Sequence, residues 1–377
     1  MGITMAKCAS ISVYDETWGD APDNDNMNVE NNIPVTIRNA KLQAAISVEI
    51  DESLEREKNE DLKRLKILLL GGSDAGKSTI LKQMRILHMN GFSNDEMHSF
   101  HKHLKLNVFQ NSINRFAGGI SRILGFDDEQ ENEYLLSFLI FKSVQTFLGL
   151  YPNYASLPDN AHYFLPKLTA LLSLNYSPSA EDILHLRIPT TSVNEINFVF
   201  SKRAIRLIDV GGQRTYRKKW MHYFDGVAAV LFVVSMAAYD QALDDVDKSV
   251  KPVMSSDVLS DKDNRLRDSV QQFGDMLRSK YLLTSAFILF LNKKDLFWKK
   301  LARHPLEKFI SGYKGTTNEE AAAFLKEHFI KRRSKTDKDR PIYSHYTCAT
   351  DTKNVEFVFK AACEIVWQKN LNNSGIQ

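Results

Sequence analysis

Cysteine is scarce in this 377-residue chain. Its three cysteines, Cys8, Cys348 and Cys363, are too few and too widely spaced for a disulfide framework or a thiolate zinc site. That count suits a reducing compartment. Long apolar runs are missing as well. The longest, Val227 to Tyr239, is interrupted by Ser235 and is too short to span a bilayer, so it reads as a buried strand with its flank. Residues 1–35 hold no apolar core, and no secretory signal is expected there. An excess of one charge is also lacking: 49 Lys and Arg stand against 46 Asp and Glu, and the net +3 implies no nucleic-acid partner. The basic stretch "KRRSKTDKDR", residues 331–340, contains acids and no aromatic residue, and reads as a solvated loop. His98, His101 and His103 have no carboxylate or thiol to complete a metal set, so surface positions are expected for them. What the chain does have is 43% hydrophobic residues, enough for one large domain or two ordinary ones.

Residues 9–35 are rich in Asn and Asp and show no periodicity, which predicts disorder over 1–39. From Ala40 to Arg64 a charged helix is expected, with Leu42, Ile46, Ile50 and Leu54 forming one narrow apolar stripe for a partner or for its own domain. Between 92 and 186, "EYLLSFLIFKSVQTFLGLY" and "HYFLPKLTALLSL" have helical period and no convincing strand interrupts them. Strands are expected at "ILLL" (67–70), then from Asn197 at "NFVF", "AIRLIDV", "VAAVLFVVS", "SAFILFLN" and "IYSHYTC". Their alternation with helices implies an α/β domain with a parallel-rich sheet covered on both faces, carrying an all-helical insertion.

The motifs fall at the ends of those strands. Gly71-x4-Gly76-Lys77-Ser78 fits a phosphate-binding loop. Backbone N–H groups and a helix N-terminus face an anion there, Lys77 reaches the outer phosphates, and the Ser78 hydroxyl can hold Mg²⁺. "LIDVGGQR" ends a strand in Asp209, an acid that can hold Mg²⁺ through water. Gly212 lets its N–H approach a terminal phosphate, and Gln213 sits where an attacking water is oriented. In "FLNKKD", Asp295 can accept two hydrogen bonds from a guanine edge, a pair of donors adenine does not offer. Lys293 can lay its stem along the base, and Asn292 can buttress the loop. In "TCAT", a backbone N–H of Cys348 or Ala349 can meet guanine O6.

With these motifs in this order, the sequence resembles the alpha subunits of heterotrimeric G proteins over nearly all of residues 40–377, somewhat nearer the inhibitory subclass. "DVGGQR", "RKKW", "FLNKKDLF", "EEAAAF" and "TCATDTKNVEFVF" carry the resemblance. It implies a Ras-like GTPase domain (65–91 and 187–377) with an inserted all-α domain (92–186), and a switch that binds GTP and GDP with Mg²⁺ and hydrolyses GTP slowly. It implies as partners a beta-gamma dimer held by the 40–64 helix, a G protein-coupled receptor, effectors and RGS-type regulators. "DILHLRIPTT" matches the first switch, so Arg187 would be an arginine finger in cis and Thr191 would join Ser78 and Asp209 on Mg²⁺. Asp159 and Asn160 match the helical-domain wall of the nucleotide cleft, and Asp159 would pair with Lys293. Further nucleotide contacts are implied for Gly71, Gly72, Ser73, Asp74, Ala75 and Thr79, for Leu184, His185 and Thr190, and for Gly211 and Thr350.

Several positions depart from the family pattern. Ser73 replaces a glycine and Asp74 a longer glutamate in the phosphate loop; His185 replaces an arginine, Ser192 a glycine and Tyr216 an acid in the switches. A stretch at 247–261 lengthens the third-switch loop, and Ser374 stands where the inhibitory subclass carries a cysteine. These changes bear on rates, and keep open a hydrolytically impaired scaffold as the alternative. Gly2 is a candidate for myristoylation, although Ala6 stands where that motif prefers Ser or Thr, and Cys8 for palmitoylation. One chain anchors only marginally, so attachment to the cytoplasmic face of the plasma membrane is expected to need both.

Overall fold

The computed structural model describes residues 35–108, 159–171, 176–243, 264–333 and 340–373. Outside them lie Gly2, Cys8, the disorder expected before residue 35, the apolar segment 133–151, the third-switch loop 247–261 and the tail from Ser374. The chain forms two compact units, Met1–Asp61 and Leu62–Gln377.

The first unit is carried by helix α1, Val35–Lys63. It begins at Val35 rather than Ala40, which corrects the expected disorder through residue 39. The preceding Pro34 is a common helix-start signal. Ile46, Ile50 and Leu54 of the apolar stripe are all about half exposed.

The second unit is built on a six-stranded sheet in the order β2-β3-β1-β4-β5-β6. Its strands are β1 Leu65–Leu70, β2 Asn194–Phe200, β3 Arg203–Asp209, β4 Ala229–Ser235, β5 Ala286–Asn292 and β6 Ile342–Tyr346. All pairings are parallel except β2 with β3. β4 and β5 are buried at every position, as strands covered on both faces must be. β2 alternates buried and exposed residues, the pattern of an edge strand with one dry face. The sheet is parallel-rich as expected, with β2 as its one antiparallel strand. Ser201 and Lys202 both take left-handed φ, 47° and 64°, and close a tight hairpin whose twist matches its strands.

Helices α2 (Lys77–His88), α3 (Asn94–Val108), α4 (Ala180–His185), α5 (Arg265–Leu277), α6 (Lys294–Leu301), α7 (Asn318–Ile330) and α8 (Thr352–Asn373) complete the unit. Phe273 of α5, Phe297 of α6 and Phe329 of α7 are buried with one face of the sheet. Ile80 and Met84 of α2 are buried with the other, together with Val358, Phe359 and Val366 of α8. α3, two short helical turns (Ala161–Phe164 and Leu168–Leu171) and α4 share a small separate core of Leu104, Phe164, Leu171 and Leu186. No strand occurs among the described residues of 94–185.

Candidate functional site

The loop between β1 and α2 turns on Gly76, whose φ is 104°. A Cβ there would collide with the Asn292 side-chain amide, so glycine is required on two grounds. No side chain caps α2, which leaves its first-turn N–H groups for an anion. Lys77 is buried, and its Nζ donates to Gly71 O (3.0 Å) and Gly72 O (2.8 Å). Burial lowers its pKa, opposed by the nearby Asp209 carboxylate. Gly212 lies so close to that ammonium that a side chain would meet Nζ and the Gly71 and Gly72 carbonyls.

β3 delivers Asp209 to the floor of the site. Its carboxylate is fully buried, and burial raises its pKa against the opposing pull of Lys77 and Ser78. Oδ2 accepts from Ser78 Oγ at 2.5 Å, while Oδ1 is buried with no hydrogen-bond partner. Ser78 Oγ also lies 2.6 Å from Thr190 Oγ1. The assignment of Thr191 to the metal set is therefore corrected: Thr191 is exposed, and Thr190 is the threonine that meets Ser78. Hydroxyl and carboxylate oxygens with an orphaned carboxylate atom suit Mg²⁺, a hard cation with oxygen ligands. Among the described residues no cluster of three His, Cys, Asp or Glu could hold a metal, and the His98, His101 and His103 group forms none.

β5 and the turn after β6 end beside the loop between β1 and α2. Asn292 Nδ2 donates to Ala75 O (2.8 Å), and its Oδ1 accepts from Ala349 N (2.9 Å) and Thr347 Oγ1 (3.1 Å), so it buttresses both loops as expected. Asp295, in the first turn of α6, is exposed at the rim, with Cys348 Sγ 3.3 Å from Oδ1. The two N–H groups expected to meet guanine O6 are engaged elsewhere, Cys348 N with Asn354 Oδ1 (2.9 Å) and Ala349 N with Asn292. Lys293 takes left-handed φ (60°) and pairs with Asp159 at 2.7 Å and Asp74 at 3.3 Å. Burial alone would raise the Asp159 pKa, but Lys293 outweighs it and holds the carboxyl at about 2.

Asp74, also in left-handed conformation (φ 58°), faces two more cations, Arg187 Nε at 3.5 Å and Arg265 Nη1 at 3.7 Å. Gln213 stands partly exposed at the start of the helical turn Arg214–Arg217. Arg217 bonds Gly212 O and, with Arg214, pairs with Asp268 of α5. Trp220 is buried and donates Nε1 to Gly211 O at 2.9 Å. The segment from Gly211 to Trp220 is thus folded back on itself by Trp220 and Arg217 and tied to α5 through Asp268.

On the helical side, Asn160 Nδ2 donates to His185 O (3.0 Å), and the His185 ring stacks on Tyr163 with centroids 3.8 Å apart. Behind them Asp182, capping α4 through Ser179, accepts from Tyr163 and Tyr176 hydroxyls at 2.8 and 2.6 Å. Burial would raise the Asp182 pKa, but bonds from Tyr176, Ser179 and Tyr163 hold it at about 2, below its ordinary 3.8. A depressed carboxylate stabilises the fold above its unfolded pKa, and that contribution fades as pH falls toward 2. Asp182→Asn should therefore cost about 1–2 kcal/mol at neutral pH. In urea melts, the gap between wild type and variant should close between pH 4 and pH 2. A gap independent of pH would refute the ionised carboxylate.

These groups surround one cleft of about 390 Å³, within the range of small-molecule sites. The loop from Ser73 to Thr79, Asp159 and Asn160, Leu184 to Thr190, Gly212 and Gln213, Asn292, Lys293 and Asp295 and the Cys348–Thr350 turn all line it, whereas Gly71, Asp209 and Gly211 do not. Sequence reasoning missed Tyr163, Leu296 and Lys299 on its wall and Arg265 beside Asp74. Leu296 and Lys299 follow Asp295 on α6 and were within reach of a helical reading; Tyr163 and Arg265 arrive from distant segments with no local signal.

A family model described as G-protein alpha subunit matches residues 44–139 and 137–366. The guanine nucleotide-binding protein alpha-16 subunit of Caenorhabditis elegans is 35% identical over 356 residues, covering 88% of this chain and 96% of the relative. Its counterpart from Caenorhabditis briggsae is 34% identical over 357 residues, covering 88% and 97%. On these matches, with a Ras-like sheet and a helical insertion behind them, the chain belongs to the family of heterotrimeric G-protein alpha subunits.

Proposed function

We propose that this protein is a GTP-binding signal transducer that hydrolyses GTP slowly and passes a receptor's signal to effectors. The observation that carries the reading is convergence: the uncapped N-terminus of α2, the Ser78–Thr190–Asp209 oxygens and the Asn292–Asp295 loop meet at one cleft. Triphosphate, Mg²⁺ and guanine would occupy them in that order. Ser78, Thr190 and Asp209 are the groups that would hold Mg²⁺, which supplies charge neutralisation at the phosphates. Arg187 reaches over the same loop to spread positive charge on the transferring phosphoryl, and Gln213 orients the water. In the GDP form the exposed stripe of α1 is the surface for a beta-gamma dimer. Two lipids, at Gly2 and Cys8, would hold the protein at the cytoplasmic face of the plasma membrane, where receptor and regulators act.

The fastening of Trp220 to Gly211, next to the phosphate-facing Gly212, supplies the test. Non-hydrolysable Mg·GTP analogue should change tryptophan emission, the ATP analogue should not, and Trp220→Phe should abolish the change. An equal response to both analogues would overturn the guanine reading. A signal that survives in Trp220→Phe would belong to Trp18, Trp298 or Trp367. The hydrolytically impaired alternative draws on the Asp74 ion pair, which holds Arg187 away from a free position; single-turnover hydrolysis decides between them.

A further inference from the structure

Lys82 and Arg85 lie three residues apart on one face of α2, the helix that starts at the phosphate loop. Lys82 Nζ donates to Ile183 O and Leu186 O, both at 2.8 Å. These are carbonyls at the C-terminus of α4, where a helix leaves acceptors unsatisfied and a cation is favoured. Arg85 makes a two-pronged pair with Glu96 of α3, 2.7 Å to Oε1 and 2.9 Å to Oε2, and its guanidinium lies 4.6 Å over the Phe92 ring. Phe92 meets Phe100 edge to face at 5.2 Å, and Lys82 Nζ lies 5.9 Å from the Phe100 centroid. Lys82, Phe100, Phe92 and Arg85 therefore close a ring of contacts.

Through Phe92 that ring reaches the outgoing passage between the sheet domain and the helical insertion, and the Lys82 bond to Leu186 O reaches the returning one. The outgoing passage, 89–93, turns on Asn90 and Gly91, both at positive φ, and its far end is gripped by Arg85. The returning passage begins at Leu186, whose own carbonyl is one of the two that Lys82 grips. The insertion side of the cleft carries Asp159, Asn160 and His185, so a bound nucleotide is walled in for as long as the two passages keep their bend. We infer that Lys82 and Arg85 are positioning residues that clamp both connections of the helical insertion to α2, and that this clamp sets how fast nucleotide leaves. The inference rests on the guanine-nucleotide reading above. Glu96 is held below its ordinary pKa by the Arg85 bonds, in keeping with the ion pair, whereas burial works against the Lys82 ammonium and brings it down to about 8.

The test is release of fluorescent mant-GDP from the full chain after a chase with unlabelled GDP. Lys82→Met, which keeps the apolar stem, and Arg85→Met should each release it roughly tenfold faster, as expected for loss of charge-assisted bonds. Arg85→Glu should release fastest, and the exchanged pair Arg85→Glu with Glu96→Arg should return to within about twofold of wild type. Single-turnover GTP hydrolysis in Arg85→Met should be unchanged, which separates gating from general damage. Unchanged release in both methionine variants, or no rescue by the exchanged pair, would overturn the clamp. A wild type that fails to take up mant-GDP would overturn the nucleotide reading and the clamp with it, a result distinct from normal uptake with unaltered release.

Discussion

Arg187→Cys should slow single-turnover GTP hydrolysis about 10³-fold or more while leaving GTP uptake intact, a magnitude known for alpha subunits as a class rather than obtained from this geometry. The reasoning starts from charge. Phosphoryl transfer spreads negative charge over the equatorial oxygens, and a guanidinium offers five donors in a fixed plane. Arg187 stands partly exposed on the cleft wall, with Asp74 holding its Nε at 3.5 Å. A partly exposed ion pair of that length is worth little, so a γ-phosphate can draw the arginine away from it. Gln213→Leu should produce a comparable block, since an apolar side chain cannot orient water. The measurement is phosphate release from preloaded protein in one turnover. Wild-type rates in either variant would remove the role assigned to that residue.

Asp295→Asn should weaken GTP binding by about 1–3 kcal/mol, or roughly 5- to 150-fold in Kd. The carboxylate is an acceptor at both oxygens, complementary to the N1–H and exocyclic amine of guanine. An amide presents a donor where that amine needs an acceptor. It suits xanthine, which carries a carbonyl at the same ring position, so the variant should gain affinity for xanthosine triphosphate. That gain protects the test from misfolding. Competition of both triphosphates against a fluorescent analogue checks it, and undiminished guanine preference in the variant would exclude Asp295 as the base reader. Cys348 Sγ lies 3.3 Å from Oδ1 of the same exposed carboxylate.

Part of this site was legible because several of its residues stand at or just after the end of an apolar strand. Asp209 closes β3, Asn292 closes β5, and the phosphate loop follows Leu70. An apolar run broken by glycine or by an acid is visible without coordinates. What stayed hidden depends on backbone direction or on distant partners. Thr190 and Thr191 are identical neighbours, and only the chain path decides which hydroxyl meets Ser78. The β2–β3 hairpin lacks the Asn-Gly signal, because Ser201 and Lys202 take left-handed backbone without the usual residues. The engagement of Cys348 N by Asn354, and of Lys82 by α4, joins groups whose meeting no local pattern announces.

The sheet order also dictates a sequence of events during folding. β1 pairs with β3 in the register Leu65↔Ile205, so the whole helical insertion must be spanned before those strands meet. The equilibrium cost of such a long closure is modest, since each doubling of loop length adds only about 0.6 kcal/mol. Its kinetic cost is larger, because non-local pairing slows folding. The β2–β3 hairpin joins near neighbours, and β4 pairs with β5 across a shorter stretch of chain than β1 with β3, so docking of β1 between β3 and β4 is expected late. The phosphate loop hangs from the end of that late strand. Nucleotide therefore meets a formed cradle only in the finished molecule, and in binding it there draws the last slow step toward completion by mass action.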